Sequence, residues 1–306
     1  MKRFRFVVSL ITDENDYQRQ QAASAIETAT RLGVDLAVFY ARNDSIYQSQ
    51  QLLEIIQGHE DVDGIIVEPA GRTAFPKVAS AAVASGRAWV LLNCEADYLS
   101  TLRSNSKVPV FAVSADNREI GRIQGRQLAA LLPLGGSVIY IQGPSQSTVT
   151  EQRTAGMMET KPLNIRVRTL KSANWTEEGG THAVSSWLRL ATAKHEHIDL
   201  VQAQNDFLAA GARCAMEEAV EQVGGGGSNL CFLGVDGLPG TGQAWVQQGV
   251  LKATIIVPAI APIALSALYS ALKDQSHPAG RTLVASVSFP EVKELQPVVG
   301  HKASVE

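Results

Sequence analysis

The sequence predicts an α/β protein made of two doubly wound, parallel-sheet lobes, and three observations carry that expectation. Short β-rich apolar runs alternate with longer stretches of helical period almost without interruption, the rhythm of βαβ units whose helices cover both faces of parallel sheets. About ten strands in such alternation are too many for one comfortable open sheet. A chain of 306 residues is also longer than one hydrophobic core usually serves.

Taken in order, the expected strands are Phe6–Ile11, Val34–Tyr40, Gly64–Glu68, Ala88–Asn93 and Val110–Ala115. They are followed by Ser137–Gln142, Ile165–Leu170, Leu200–Gln204, Leu230–Asp236, Ala253–Val257 and Leu283–Val287. Helices lie between most of them. Tyr17–Leu32 places Ala22, Ile26 and Ala29 on one face, and Thr176–Ala191 does the same for Ala183, Val184, Trp187, Leu188 and Ala191. Gly33 and the "VGGGG" stretch before Ser228 read as helix stops, because glycine takes the left-handed conformation at little steric cost. The joint between the lobes falls at "VPVFAVSADN" (108–117), where a strand runs without a loop into a second βα series, so the halves look like repeats of one plan.

Composition excludes several classes. With 45% hydrophobic and 19% charged residues the chain is an ordinary globular one, and a net charge of −3 provides no global basic field for nucleic acid. No apolar run reaches the roughly 18 residues that cross a bilayer, so no membrane insertion is expected. "FVVSLI" (6–11) is too short for a signal-peptide core and reads as a first strand, which points either to the cytoplasm or to an export signal already removed. Cys94, Cys214 and Cys231 have neither disulfide nor metal spacing and read as small buried apolar residues.

Open α/β sheets bind ligands outside the carboxyl ends of their strands. The residues expected there are Asn15 and Tyr17, Glu68, Asn93, Arg153 in the "GPSQSTVTEQR" segment, Trp175, Asn205 with Asp206, and Asp236. Amides, carboxylates, a guanidinium and two aromatics suit a neutral polyhydroxylated ligand: acceptors pair with hydroxyls, Arg offers fixed donors, and aromatic faces cover C–H patches. Each residue also has a plainer reading. Asn205 and Asp206 qualify as helix caps, Asp236 as a turn former, Trp175 as the cover of a helix start beside Thr176, and Arg153 as a solvated helical residue.

Five stretches match a known pattern: "DGIIVEP" (63–69), "VSADNREIGRIQGRQLA" (113–129), "GPSQSTVTEQRTAGM" (143–157), "QNDFLAAGA" (204–212) and "GVDGLPGTGQA" (234–244). In these the chain resembles the periplasmic sugar-binding proteins of the ribose- and galactose-binding type, whose type 1 fold is shared by the effector domains of lactose-repressor-type regulators. The resemblance implies two lobes joined by three hinge crossovers near 114–117, 254–258 and 285–289, with lobes 1–115 plus 257–286 and 116–256 plus 287–306 closing on a ligand. It implies as ligand-binding residues Asn15 and Tyr17 in the first loop, Asn93, the sugar-contacting Arg153, the stacking Trp175, and Asn205 with Asp236 in the second lobe. Asn205 would serve the ligand while Asp206 caps the helix behind it. Departures from the pattern are Cys94 in place of a basic residue, Gln18 in place of a second aromatic, and Val257 where ribose binders carry a hinge Gln; they argue against ribose itself.

The implied function is capture of a small solute, a sugar, for an ABC permease or a chemoreceptor, in the periplasm. The alternative is a ligand sensor of regulator type without a DNA-binding domain of its own, because the first strand begins where relatives that bind DNA carry a helix-turn-helix. Enzyme readings find no support: G-x-S-x-G, H-E-x-x-H and Walker A sequences are absent. "GGGG" (224–227) reads as a flexible turn and "HEH" (195–197) as a surface loop, so neither a cofactor nor a metal is expected.

Overall fold

The computed structural model describes residues 3–58, 61–190, 196–222 and 230–298. The chain divides into two compact units, Met1–Asp116 with Pro258–Ala285, and Asn117–Val257 with Ser286–Glu306. It passes from one to the other after Asp116, Val257 and Ala285.

The first unit holds strands β1 (Arg5–Leu10), β2 (Asp35–Tyr40), β3 (Gly64–Val67), β4 (Ala88–Leu92), β5 (Val110–Ala115) and β11 (Arg281–Val284), all parallel, in the order β11-β5-β4-β3-β1-β2. The central strands β3 and β4 are apolar throughout and fully buried, as strands covered on both faces must be. Helices α1 (Asp16–Leu32) and α10 (Ala261–Lys273) cover one face over Phe6, Val8, Val90 and Phe111. Helices α2 (Ser45–Gln57), α3 (Pro76–Ala84) and α4 (Tyr98–Ser104) cover the other over Val7, Ile65, Trp89 and Leu91. Helix α1 stops where the sequence places its stop: Gly33 has φ 68° and returns its N–H to the carbonyls of Ala29 and Thr30.

The second unit repeats the plan. Strands β6 (Gly136–Gln142), β7 (Ile165–Lys171), β8 (Leu200–Ala203) and β9 (Cys231–Leu233) form a parallel sheet in the order β7-β6-β8-β9. Bridges Leu233–Ala253 and Asp236–Ile256 bring β10 (Thr254–Ile256) alongside, and β10 pairs antiparallel with β12 (Val287–Phe289). Helices α5 (Asn117–Leu131) and α6 (Thr148–Thr160) pack on one face; α7 (Glu177–Leu188) and α8 (Asp206–Gln222) pack on the other, and the short α9 (Ala244–Gln247) precedes β10.

Four local expectations change. Ile26 is 50% exposed; the buried face of α1 is instead Gln18, Gln21, Ala22, Ala25, Thr28 and Ala29, with two amides whose hydrogen bonds permit burial. The run expected as one strand at Leu283–Val287 is two, β11 and β12, because the chain changes unit after Ala285 and each half finds a different sheet. The strand expected at Leu230–Asp236 shortens to Cys231–Leu233. Of the three free cysteines Cys94 is buried, but Cys231 is half-buried and Cys214 exposed. The "GGGG" run, Ala191 and His195 lie outside the described residues; in the rest of "HEH", Glu196 pairs with Arg168 and His197 with Asp199.

Candidate functional site

In the first unit, polar side chains gather just past the ends of β1, β3 and β4. Asn15 caps α1 and accepts the Gln18 N–H at 2.9 Å. Gln18, on the buried turn that this cap begins, accepts the Ile11 N–H at 3.2 Å and donates through Nε2 to Glu68 Oε2 at 2.9 Å. Asn93 donates to the other oxygen of the same carboxylate, Oε1, at 2.9 Å, and accepts the Ala115 N–H at 3.2 Å. Its backbone sits at φ 47°, a left-handed conformation that Asn tolerates better than most residues. Gln48 Nε2 reaches the Glu68 carbonyl and the Ser9 hydroxyl, each at 2.9 Å. Glu68 is thus the hub of a buried amide network tying α1 to the ends of β3 and β4. Tyr17 is half-buried, its hydroxyl 3.5 Å from the Pro258 carbonyl.

In the second unit, Arg153 is 6% exposed. The close approach of α5 and α6 places it there: a Cβ on Gly121 would lie 2.1 Å from the Arg153 carbonyl, and one on Gly156 would lie 1.9 Å from that of Arg118. The guanidinium donates through Nε to Asn117 Oδ1 at 3.0 Å and through Nη1 to the Gln204 carbonyl. Its carbon lies 5.9 Å from the centre of the Trp175 ring, a cation–π distance. Trp175 rests on Gly143, where any side chain would collide with the indole: the nearest ring atom is 2.2 Å from an ideal Cβ. Gln204 fastens the floor, donating to the Tyr140 hydroxyl at 2.9 Å and accepting the Gly143 N–H at 3.0 Å. Burial pushes the Tyr140 phenol up, against the lowering effect of Gln204, Arg153 and Thr154, so it stays neutral.

The cap expected of Asp206 belongs to Asn205. Asn205 is the cap, accepting the Leu208 N–H at 2.8 Å, and its Nδ2 donates to the Trp175 carbonyl at 2.9 Å. Asp206 is buried behind it and accepts from the Thr254 hydroxyl at 2.6 Å and the Gly237 N–H at 2.8 Å. Burial lifts its carboxyl to about 7, against the lowering effect of those two donors and of Arg153. Asp236 is buried at φ 114°, and its backbone pairs with β10 through the Ile255 carbonyl and the Val257 N–H, each at 3.0 Å.

The structure therefore gathers Asn15, Tyr17 and Asn93 at the strand ends of one unit and Arg153, Trp175, Asn205 and Asp236 at those of the other. Arg153 is not the solvated residue its helical position also allowed. The sequence reading left Gln18, Asn117, Gln204 and the hub role of Glu68 outside the site. The available signal was their position, within a few residues of a strand's carboxyl end in a chain where such places are rich in amides. Among the described residues no group of three or more His, Cys, Asp or Glu is placed to hold a metal ion, and no described helix is long and apolar enough to cross a membrane.

The chain is similar to a D-ribose/D-allose-binding protein of Pseudomonas aeruginosa, 31% identical over 159 residues; that stretch covers 52% of this chain but only 48% of the relative, about half its length. It is also similar to the ribose import binding protein RbsB of Bacillus subtilis, 24% identical over 236 residues, covering 77% of this chain and 70% of that one. Among solved structures it shares the fold of an ABC transporter periplasmic solute binding protein from Actinobacillus succinogenes 130z with bound D-allose. The TM-score is 0.80 at 24% identity, over 95% of this chain and 99% of that one. The model of the periplasmic binding protein domain family matches residues 6–276, a span that takes in sheets and helices of both units, and the chain belongs to that family.

Proposed function

We propose that this protein is a solute-binding protein that captures a small polyhydroxylated ligand, a sugar, and that it is not an enzyme. The observation that carries the reading is Arg153, buried beneath the half-exposed indole of Trp175 with its guanidinium oriented by Asn117 and Gln204. A buried cation with fixed donors beside an aromatic face is what a sugar's hydroxyls and C–H patches require. The ring would add about 1 kcal/mol beyond simple burial. Tyr17 supplies the aromatic of the first unit, and Asp236 supplies acceptors in the second. Asn15, Asn93 and Asn205, whose amides cap helices or join strand ends, act by holding these groups in place.

Capture follows from population shift: a ligand favours whichever conformation it binds better, by its differential affinity for it. The named ligands of the relatives, ribose and allose, make a pentose or hexose the first class to test. We place the protein in the periplasm, delivering its ligand to an ABC permease or a chemoreceptor; cell fractionation checks the location.

The test is a panel of pentoses, hexoses and polyols read by melting temperature and tryptophan fluorescence, since a ligand at 100 times its Kd stabilises by about 2.7 kcal/mol. A sugar that raises the melting temperature, binds more than about tenfold more weakly to Arg153→Ala and Asp236→Ala, and loses its fluorescence signal in Trp175→Phe is the expected result. Wild-type binding by both Arg153→Ala and Asp236→Ala overturns the site. Silence across the panel overturns the sugar class.

A further inference from the structure

Asp206 grips the chain on both sides of Asp236. Its backbone N–H donates to the Val235 carbonyl at 2.7 Å, and its carboxylate accepts the Gly237 N–H at 2.8 Å. The other carboxylate oxygen takes the Thr254 hydroxyl at 2.6 Å, so the same side chain ties the turn to β10. The space is sized for this group alone: a Cβ on Gly234 or on Gly242 would come within 2.1 Å of a carboxylate oxygen. At 1% exposure Asp206 touches neither solvent nor a ligand, and capping of α8 belongs to Asn205, so the helix start does not explain a buried carboxylate here.

We propose that Asp206 is the positioning residue of the second unit's site: its ionised carboxylate fixes the turn that presents Asp236, and neutralising it loosens that turn and weakens ligand capture. The inference rests on the binding reading given above. The charge that bears on Asp206 is Arg153, from α6, while Thr254 on β10 and Gly237 supply neutral donors; Asp236 stands next in sequence to Gly237. Hydrogen bonds to an ionised acceptor are roughly twice as strong as those to a neutral one. Because Asp206 is already out of water, ligand binding adds no desolvation. It adds order to the turn, which favours the charged form, so binding releases a proton. Burial places the titration near neutral pH, where this coupling is measurable.

The experiment is calorimetric titration of the full chain with D-ribose and D-allose between about pH 5.5 and 8.5, in buffers of different ionisation enthalpy, for wild type and Asp206→Asn. Expected are proton release on binding, a wild-type Kd that rises about tenfold toward acid pH, and a variant that is weak and flat across the range. Parallel pH profiles for the two proteins overturn the proposal. A second arm needs no ligand: hydrogen-exchange protection of the Gly237 amide falls in wild type as Asp206 protonates, and is low at every pH in the variant. If neither sugar binds, those two ligands are excluded, the wider panel decides the binding reading, and this arm still decides the role of Asp206; protection that ignores pH overturns it. Should Asp206→Asn not fold, Thr254→Val removes one donor and moves the exchange midpoint to higher pH, and an unmoved midpoint counts against the clamp.

Discussion

The side-chain amide of Asn205 joins a helix start to an aromatic loop: Oδ1 receives the Leu208 N–H at 2.8 Å while Nδ2 reaches the Trp175 carbonyl at 2.9 Å. The two halves of the amide can be separated by mutation. Asn205→Asp keeps the acceptor and loses the donor, so α8 stays capped while the Trp175 loop is released. Asn205→Ala loses both, at a cost of about 1 kcal/mol for the cap alone. Urea denaturation should therefore rank Ala as the less stable variant, and tryptophan emission should change in both. Equal stability would remove the cap from Asn205.

The Glu68 hub makes a sharper demand. Glu68→Ala leaves the amides of Gln18 and Asn93 without the acceptor they share, inside a buried cluster. Each orphaned amide costs about 1–3 kcal/mol. The triple variant that also carries Gln18→Ala and Asn93→Ala should recover part of that loss, a non-additivity read by denaturant midpoints. Purely additive losses would show that the three side chains do not act as one network.

Trp175 lies flat on a glycine. Gly143→Ala puts a methyl where the indole sits, because the nearest ring atom is 2.2 Å from an ideal Cβ. The ring has to move, at about 1–3 kcal/mol for overpacking. The variant should melt lower and show altered tryptophan emission, with sugar affinity reduced alongside. An unchanged emission spectrum would mean that Trp175 leaves Gly143 readily.

How much of this was legible in the chain depends on how far each residue's partner lies. The βαβ rhythm, the Gly33 stop and the polar strand ends are local patterns, and the sequence expectation for them agrees with the structure. Asn205 and Asp206 are adjacent, and both types suit a cap. What separates them is Thr254, 48 residues away, and Gly237, 31 away, which local pattern does not contain. Ile26 fails differently: hydropathy ranks it above Gln18 and Gln21, yet those residues are buried because Gln18 donates to Glu68 and the Gln21 carbonyl oxygen accepts the Ile260 and Ala261 N–H groups. The division at Ala285 is equally non-local, since β11 pairs with β5 and β12 with β10.

Stability should depend on pH through Asp206. A carboxyl raised in the folded state contributes stability that is complete below its ordinary range, near 4, and is lost as pH rises through about 7. The melting temperature should therefore carry a component that falls between about pH 4 and 7 and levels off above, and Asp206→Asn should remove it. This runs opposite to the binding dependence proposed for the same residue. A melting temperature with the same pH slope in both proteins would show that Asp206 keeps an ordinary acidity.

The late closure of both sheets bears on how the chain is made. Strand β11, at Arg281–Val284, pairs with β5 in the first unit, and β12, at Val287–Phe289, pairs with β10 in the second. Both therefore reach completion within the same few residues of translation. A polypeptide halted before Arg281 leaves the ribosome with two exposed strand edges rather than one finished lobe, and such edges invite aggregation or proteolysis. Prematurely terminated copies would then be cleared as whole molecules, and no folded single lobe would accumulate.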